Sequence, residues 1–175
     1  HDSTAVLSNA AVGSGGKDFN AFQLRRIYFA YDNDISSTFT TRFRLEGSTG
    51  SPIVKDAYLK WKNVFSGSDL IFGMQPTPAF EVSEGVWRYR SLEKTIMDLR
   101  GIVSSRDLAI SLKGKFDEQG SLNYWVMFGN NSGTGTETDR YKKLYFHVQV
   151  KPVDNLQVTL YADYSMKSNI NNTNS

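Results

Sequence analysis

Apolar and polar residues alternate along most of this chain, the period that sends successive side chains to opposite faces of a β-strand. The cleanest run is 35–46. Ile35, Ser37, Phe39, Thr41, Phe43 and Leu45 fall on one face, and Ser36, Thr38, Thr40, Arg42, Arg44 and Glu46 on the other. Seven further segments repeat the pattern, at 22–32, 53–65, 69–75, 106–116, 121–129, 142–151 and 156–166. In 106–116, for instance, Leu108, Ile110, Leu112 and Phe116 oppose Asp107, Ser111, Lys113 and Lys115. Eight strands are therefore predicted, making the chain all-β.

The connections carry a second signal. Short turns are expected at 32–34, 66–68, 117–120 and 152–155, and longer loops at 47–52, 76–104 and 130–139. Short connections at one end and long ones at the other are the arrangement of an outer-membrane barrel. A soluble Greek-key sandwich has no reason to alternate so regularly. Strand length points the same way. A strand tilted by about 40° needs about 10 residues to cross a 25 Å apolar band, and most of these segments run 9–13 residues. Soluble strands cluster near 5–6. Tyr31, Phe65 and Phe116 lie beside short turns, where one half of an aromatic girdle would sit.

Composition narrows the function classes. Aromatic residues make up 13% of a chain that is only 39% hydrophobic, which suits strands better than helices. A net charge of +2 gives no electrostatic footprint for nucleic acid. The absence of cysteine excludes disulfides, zinc–thiolate sites and thiol catalysis. No run of about 18 apolar residues exists for a transmembrane helix, while a strand-built span keeps average hydropathy low. No signal-peptide pattern is visible at the N-terminus, so an exported protein would be present here in mature or truncated form.

Motifs that suggest chemistry have plainer explanations. GSGGK at 13–17 lacks the Ser/Thr of a phosphate loop, Asp18 standing in that place, and no strand precedes it. His147 falls on the polar side of an alternating strand, which makes it a solvent- or lumen-facing histidine rather than a metal ligand or base. No nucleophile triad or paired-carboxylate spacing stands out, so neither catalytic residues, nor a metal, nor a cofactor is expected. The informative segment is 76–104. A loop of that length in a compact domain is generally functional, and this one carries Glu81, Glu84, Arg88, Arg90, Glu93, Lys94, Asp98 and Arg100. Opposed charges at a constriction would set ion preference.

Several stretches resemble the phosphate-selective porin O/P family of bacterial outer-membrane porins. FQLRRIYFAY at 22–31 is similar to its "F-x-x-R-R-a-x-l" strand, and KDAYL at 55–59 to its "x-D-A-y-l" strand. LIFGMQPTPAFE at 70–81 resembles the strand that opens its constriction loop, and VWRYRSLEKTIMD at 86–98 the "W-x-x-x-l-E-r" segment within that loop. SRDLAISLKGKF at 105–116 resembles the strand that follows. The likeness spans most of 20–130. It implies a sixteen-stranded, usually trimeric porin with an inward-folded third loop, located in the bacterial outer membrane and surrounded by its lipid. Against that pattern the chain is an interior, N-terminal-half fragment, missing the first strand and several after 166.

The expectation is thus one partial barrel domain over 1–175, with 1–18 and 167–175 as loops and 76–104 as a constriction loop. Its function would be passive diffusion of small hydrophilic solutes. The constriction would be formed by Arg88, Arg90, Glu93, Lys94 and Arg100. The lining would be Arg26, Arg42, Arg44, Asp56, Lys60, Lys62, Lys113, Lys115, Lys143, His147 and Lys151. On the assigned polar faces nine cations stand against five carboxylates, which suggests a mild preference for small anions. Two alternatives remain. One is a complete eight-stranded outer-membrane barrel with a structural or adhesive role. The other is a soluble β-sandwich that binds carbohydrate.

Overall fold

The computed structural model describes residues 22, 26–47, 51–87, 89, 94–153 and 155–166. Eight strands follow one another in chain order: β1 (Ile27–Asp34), β2 (Phe39–Gly47), β3 (Ile53–Phe65), β4 (Ser68–Pro76), β5 (Arg106–Lys115), β6 (Leu122–Gly129), β7 (Lys143–Val153) and β8 (Leu156–Ser165). Two helices, α1 (Pro78–Val86) and α2 (Ile96–Leu99), lie between β4 and β5. Every strand pairs antiparallel with its sequence neighbours, giving one eight-stranded meander. β1 and β8 form its two edges and do not pair with each other. The strands described here therefore do not close into an eight-stranded barrel. Among the described residues, no helix is long and apolar enough to cross a membrane.

Register turns the alternation into continuous faces. On one face Phe39, Trp61, Leu70, Leu112, Val126, Phe146 and Ala162 stand side by side from β2 to β8. One step along the strands, Leu59, Phe72, Ile110, Phe128, Leu144 and Tyr164 make a second apolar row. Two residues beyond Phe72, Met74 pairs with both Ala57 and Leu108. Between these rows, on the opposite face, run Ile71, Ser111, Met127, Tyr145 and Asp163, and next to them, toward the short turns, Asp69, Lys113, Trp125, His147 and Tyr161.

Burial is inverted with respect to a water-soluble sheet. The apolar face is the exposed one, with Phe72 at 64% and Leu160 at 69% of full exposure. The buried residues of the sheet interior, Asp56, Gln75, Asp107, Ser111, Trp125, Met127, Tyr145 and His147, all lie on the polar face. A soluble antiparallel sheet covers its apolar side and wets its polar side. Exposed apolar surface on this scale marks an interaction site rather than a free surface.

The connections alternate in length as the sequence suggests. Residues 35–38, 66–67, 116–121 and 154–155 join strands at one end, and 48–52, 77–105 and 130–142 at the other. The first turn differs from expectation: it occupies 35–38, not 32–34, and Ile35 and Ser37 belong to it rather than to a strand face. Ser36 is the cause. Its Oγ accepts from the Thr38 and Phe39 amides at 3.2 and 3.1 Å, while the Ile35 and Ser36 amides donate to the Phe39 carbonyl. A serine hydroxyl that satisfies two backbone donors competes with continued strand pairing. The third long connection runs to 142, not 139, because Asp139 Oδ1 holds the Tyr141 amide at 2.7 Å in an Asx-type turn. Near the short-turn end Phe39 packs on Trp61 (ring centroids 5.5 Å apart) and Phe116 on Tyr124 (4.7 Å). Tyr124 stands opposite Gly114 and its hydroxyl meets Ser68 Oγ at 2.7 Å, an aromatic ring covering a strand glycine.

Candidate functional site

The polar face gains its shape from the start of the segment 77–105, whose first helix is set over it. Thr77 starts this segment. Its amide donates to the Ser105 carbonyl at 3.3 Å and its hydroxyl to the Ser104 carbonyl at 2.5 Å, so both ends of the loop are tied together. Pro78 then opens α1, where its fixed φ and missing N–H are no handicap. Pro78, Ala79 and Phe80 are buried, and the Arg106 guanidinium lies 5.6 Å from the Phe80 ring. Glu81, in the first turn of α1, reaches down to Lys113 Nζ on β5 at 2.6 Å. α1 also packs against β7. Sequence reasoning placed a functional loop here, and the structure sets its first helix on the polar face of the sheet.

Between α1 and the sheet lies a cleft of about 900 Å³. Cations from three strands border it, Arg42 and Arg44, Lys60, and Arg106 with Lys113 and Lys115, together with the imidazole of His147 on β7. Glycine is required at one point of the sheet. Gly73, on β4 opposite Tyr58, has φ +127°, and a Cβ there would fall 2.2 Å from the Ala57 carbonyl oxygen. Only glycine tolerates both the dihedral and the approach.

The charges are not loose. Arg42 makes a two-pronged contact with Asp32 (2.6 and 3.0 Å), the fork geometry in which guanidinium matches carboxylate. Lys62 meets Asp34 at 3.0 Å, Lys60 lies 3.9 Å from Asp69, and Lys143 is 3.1 Å from Asp163. Arg26 and Lys55 share Glu46. These pairs are partly exposed, and each is worth about 0–1 kcal/mol. Asp56 is different. It is fully buried and lies between Arg44 (2.6 Å) and Arg106 (2.5 Å), a carboxylate joining three strands. Removing one partner of such a buried set typically costs about 3–5 kcal/mol, because the charges left behind are unpaired. Arg44 also lies 5.2 Å from the Tyr28 ring.

Two further hydrogen-bonded links complete the wall. Gln75 is buried, receives the Ser111 hydroxyl at 2.5 Å and donates to the Ala109 carbonyl at 2.9 Å. Asp107 Oδ2 accepts from Tyr145 at 2.8 Å and from the Asn131 amide at 2.7 Å, fixing the base of the 130–142 connection. Gly129 leaves the space that this carboxylate fills, since a Cβ there would meet Asp107 Oδ2 at 2.3 Å.

The lining residues inferred from sequence thus fall on one face: Arg26, Arg42, Arg44, Asp56, Lys60, Lys62, Lys113, Lys143 and His147 all belong to it. Lys115 lies at its short-turn end, where Nζ donates to the Glu118 carbonyl at 2.9 Å, and Lys151 is exposed near the same end. Of the constriction residues, Lys94 borders a smaller cleft of about 300 Å³ together with Arg26, Tyr28, Phe80 and Arg106. Arg100 does not join it. It follows α2 at that helix's C-terminal end and is exposed, outside the residues that line the two clefts. Arg88, Arg90 and Glu93 lie outside the described residues.

Some contributors escape period-two reasoning. Arg106 stands at the first position of β5, out of phase with the polar face, and enters the site only through its long side chain. Glu81 arrives from the helix. Trp125, Met127 and Tyr145 share the polar face as a buried cluster with Ala109. An alternation that assigns apolar residues to the outer face has no place for Trp125 or Met127. No family model matches this chain, and no curated protein or solved structure is significantly similar to it.

Proposed function

We propose that this sheet is part of the wall of a transmembrane β-barrel and that the protein is an outer-membrane porin, a passive channel for small hydrophilic solutes. The observation that carries this reading is the inverted polarity of the sheet. A continuous apolar face stands exposed from β2 to β8, and the buried, hydrogen-bonded and charged side chains occupy the other. Hydrocarbon is the solvent that such an outer face suits, and water the one that suits the inner. The alternation of short and long connections and the aromatic pairs near the short-turn end support the same orientation. The likeness of 20–130 to the phosphate-selective porin O/P family adds the expectation of an inward-folded third loop, and 77–105 lies where such a loop would lie.

In this reading the polar face lines the channel and α1 narrows it. The β1 and β8 edges pair with further strands, since unpaired backbone groups in hydrocarbon cost several kcal/mol each. No chemistry and no energy input are involved. The soluble sandwich is disfavoured by one specific feature: among the described residues, nothing is layered over the apolar face.

Reconstitution tests the proposal. The protein should need detergent to stay dispersed and, incorporated into planar bilayers, should produce discrete ohmic conductance steps. A protein that stays monodisperse in buffer without detergent and leaves bilayers silent would overturn it.

A further inference from the structure

His147 is a titratable residue of the polar face whose burial leaves both of its ring nitrogens unanswered. The residue is 6% exposed, and among the described residues neither Nδ1 nor Nε2 has a hydrogen-bond partner. Its cross-strand neighbours are Trp125 on β6 and Tyr161 on β8. Trp125 is 2% exposed and its Nε1 is likewise unpartnered. Tyr161 donates its hydroxyl proton to Asp163 at 2.7 Å and so has none to offer His147, and its oxygen takes no hydrogen bond from the imidazole. On β7 itself, Tyr145 is engaged with Asp107, and Gln149 lies within 3.4 Å of the Asn123 amide. The charges facing the imidazole are Lys113 from β5 and Glu81 from α1, and these two hold each other at 2.6 Å. Lys113 Nζ also sits 4.0 Å from the Trp125 ring centroid.

We propose that His147 is an acid-sensitive release for α1, so that protonation of this one imidazole loosens the helix from the polar face. It rests on the reading of α1 as a strap across that face. A neutral imidazole carries one donor and one acceptor, and leaving them unmade is a modest cost. An imidazolium carries two donors and a charge, and a buried charge must be paired or hydrated. Here neither nitrogen is exposed, and the cation that faces the ring, Lys113, repels the added charge. Among the described residues the carboxylate that faces it is Glu81, and Glu81 can stabilise it only by leaving Lys113. Either Glu81 changes partner or the helix lifts and admits water. Both break the Glu81–Lys113 tie of α1 to the wall. The N-terminal end stays in place, because Thr77 and the buried Phe80 hold it independently. The movement is therefore confined to the part of α1 from Glu81 onward, over Trp125 and His147.

Trp125 is the reporter. With Trp61→Phe and Trp87→Phe it becomes the sole indole of the chain, which has three tryptophans. Lowering the pH from about 8 to about 5, the range in which histidine changes charge, should move its emission to the red in one step. His147→Gln, which keeps a donor and an acceptor but takes no proton, should abolish the step. Glu81→Gln should give the acid-like emission already at the upper pH. Emission that is flat over the range, or a step that survives in His147→Gln, overturns the proposal. Should His147→Gln not fold, His1→Ala leaves a single imidazole for NMR, the chain having two histidines. The Trp125 indole N–H should then shift at the same midpoint as that ring, and an imidazole that titrates without moving the indole overturns the release. The readout needs no channel. Silent bilayers with an intact Trp125 step would remove the porin reading alone, and a conducting protein without the step would remove the release alone.

Discussion

Phe43 and Thr40 stand three residues apart on β2 and face opposite ways. Phe43 pairs with Ala57 and Tyr31 in an apolar patch, whereas Thr40 pairs with Lys60 on the charged side. If the apolar face meets lipid, an arginine in place of Phe43 carries its charge toward hydrocarbon. Phe43→Arg should then destabilise the membrane-inserted protein by up to about 2–4 kcal/mol, the range for the bilayer midplane. Thr40→Arg adds a charge to a face already built of ion pairs and should be tolerated. Spin labels at the two positions give the direct check. Accessibility to a lipid-soluble quencher should be high at 43 and low at 40, and equal values would remove the assignment of faces. A second residue reads out local folding. Asp117, in the turn after β5, accepts the Ser121 and Leu122 amides at 2.9 and 3.0 Å. These backbone hydrogen bonds hold its carboxyl below the usual value. Its folded-state pKa is thus depressed, so its contribution is present above the unfolded value of about 3.9 and is lost as pH falls through the folded one. Amide exchange at 121 and 122, corrected for intrinsic rate, should therefore quicken in acid. Asp117→Asn should make it fast and nearly insensitive to pH over the same range.

At the level of elements, the eight strands and their two faces were legible because a half-apolar strand writes its orientation directly into residue parity. Turn positions were less so. Nothing in parity distinguishes Ile35 and Ser37 as turn residues, and only the competition of Ser36 Oγ for backbone donors places the turn at 35–38. The interior of 77–105 was the least legible. α1 and α2 are short, and α1 is fixed by tertiary contacts (Phe80 beside Arg106, Glu81 on Lys113) that no local pattern announces. The same holds for Arg106, which a strict alternation assigns to the other face. What 77–105 does is open to a deletion. Replacing 78–99 by a short Gly-Ser linker removes both helices while leaving β4 and β5 to pair. If the segment narrows a channel, single-channel conductance should rise and selectivity should weaken. Unchanged conductance and selectivity would return the segment to an ordinary surface loop.

At the scale of the whole molecule, the distribution of charge decides what a channel of this kind would favour. The sequence count of nine cations against five carboxylates changes once the fold is known. Asp34, Asp69 and Glu81 join the polar side as partners of Lys62, Lys60 and Lys113, and Arg106 and Lys55 join it as partners of Asp56 and Glu46. A positive excess persists but is smaller. Pairing also localises it: most of the cations have a carboxylate within about 3 Å, so an entering ion meets short-range dipoles rather than a ring of bare charge. Rings of cationic side chains favour anions, and an excess this small should give a permeability ratio only modestly above unity. Screening sharpens the expectation, because the Debye length falls from about 10 Å at 0.1 M to about 3 Å at 1 M salt. The preference should therefore be visible in dilute KCl and vanish in concentrated KCl. Reversal potentials across KCl gradients at the two concentrations check it. A channel selective for cations in dilute salt would show that strands other than these set its selectivity, and an anion preference undiminished at 1 M would point to close-range binding instead of the summed field.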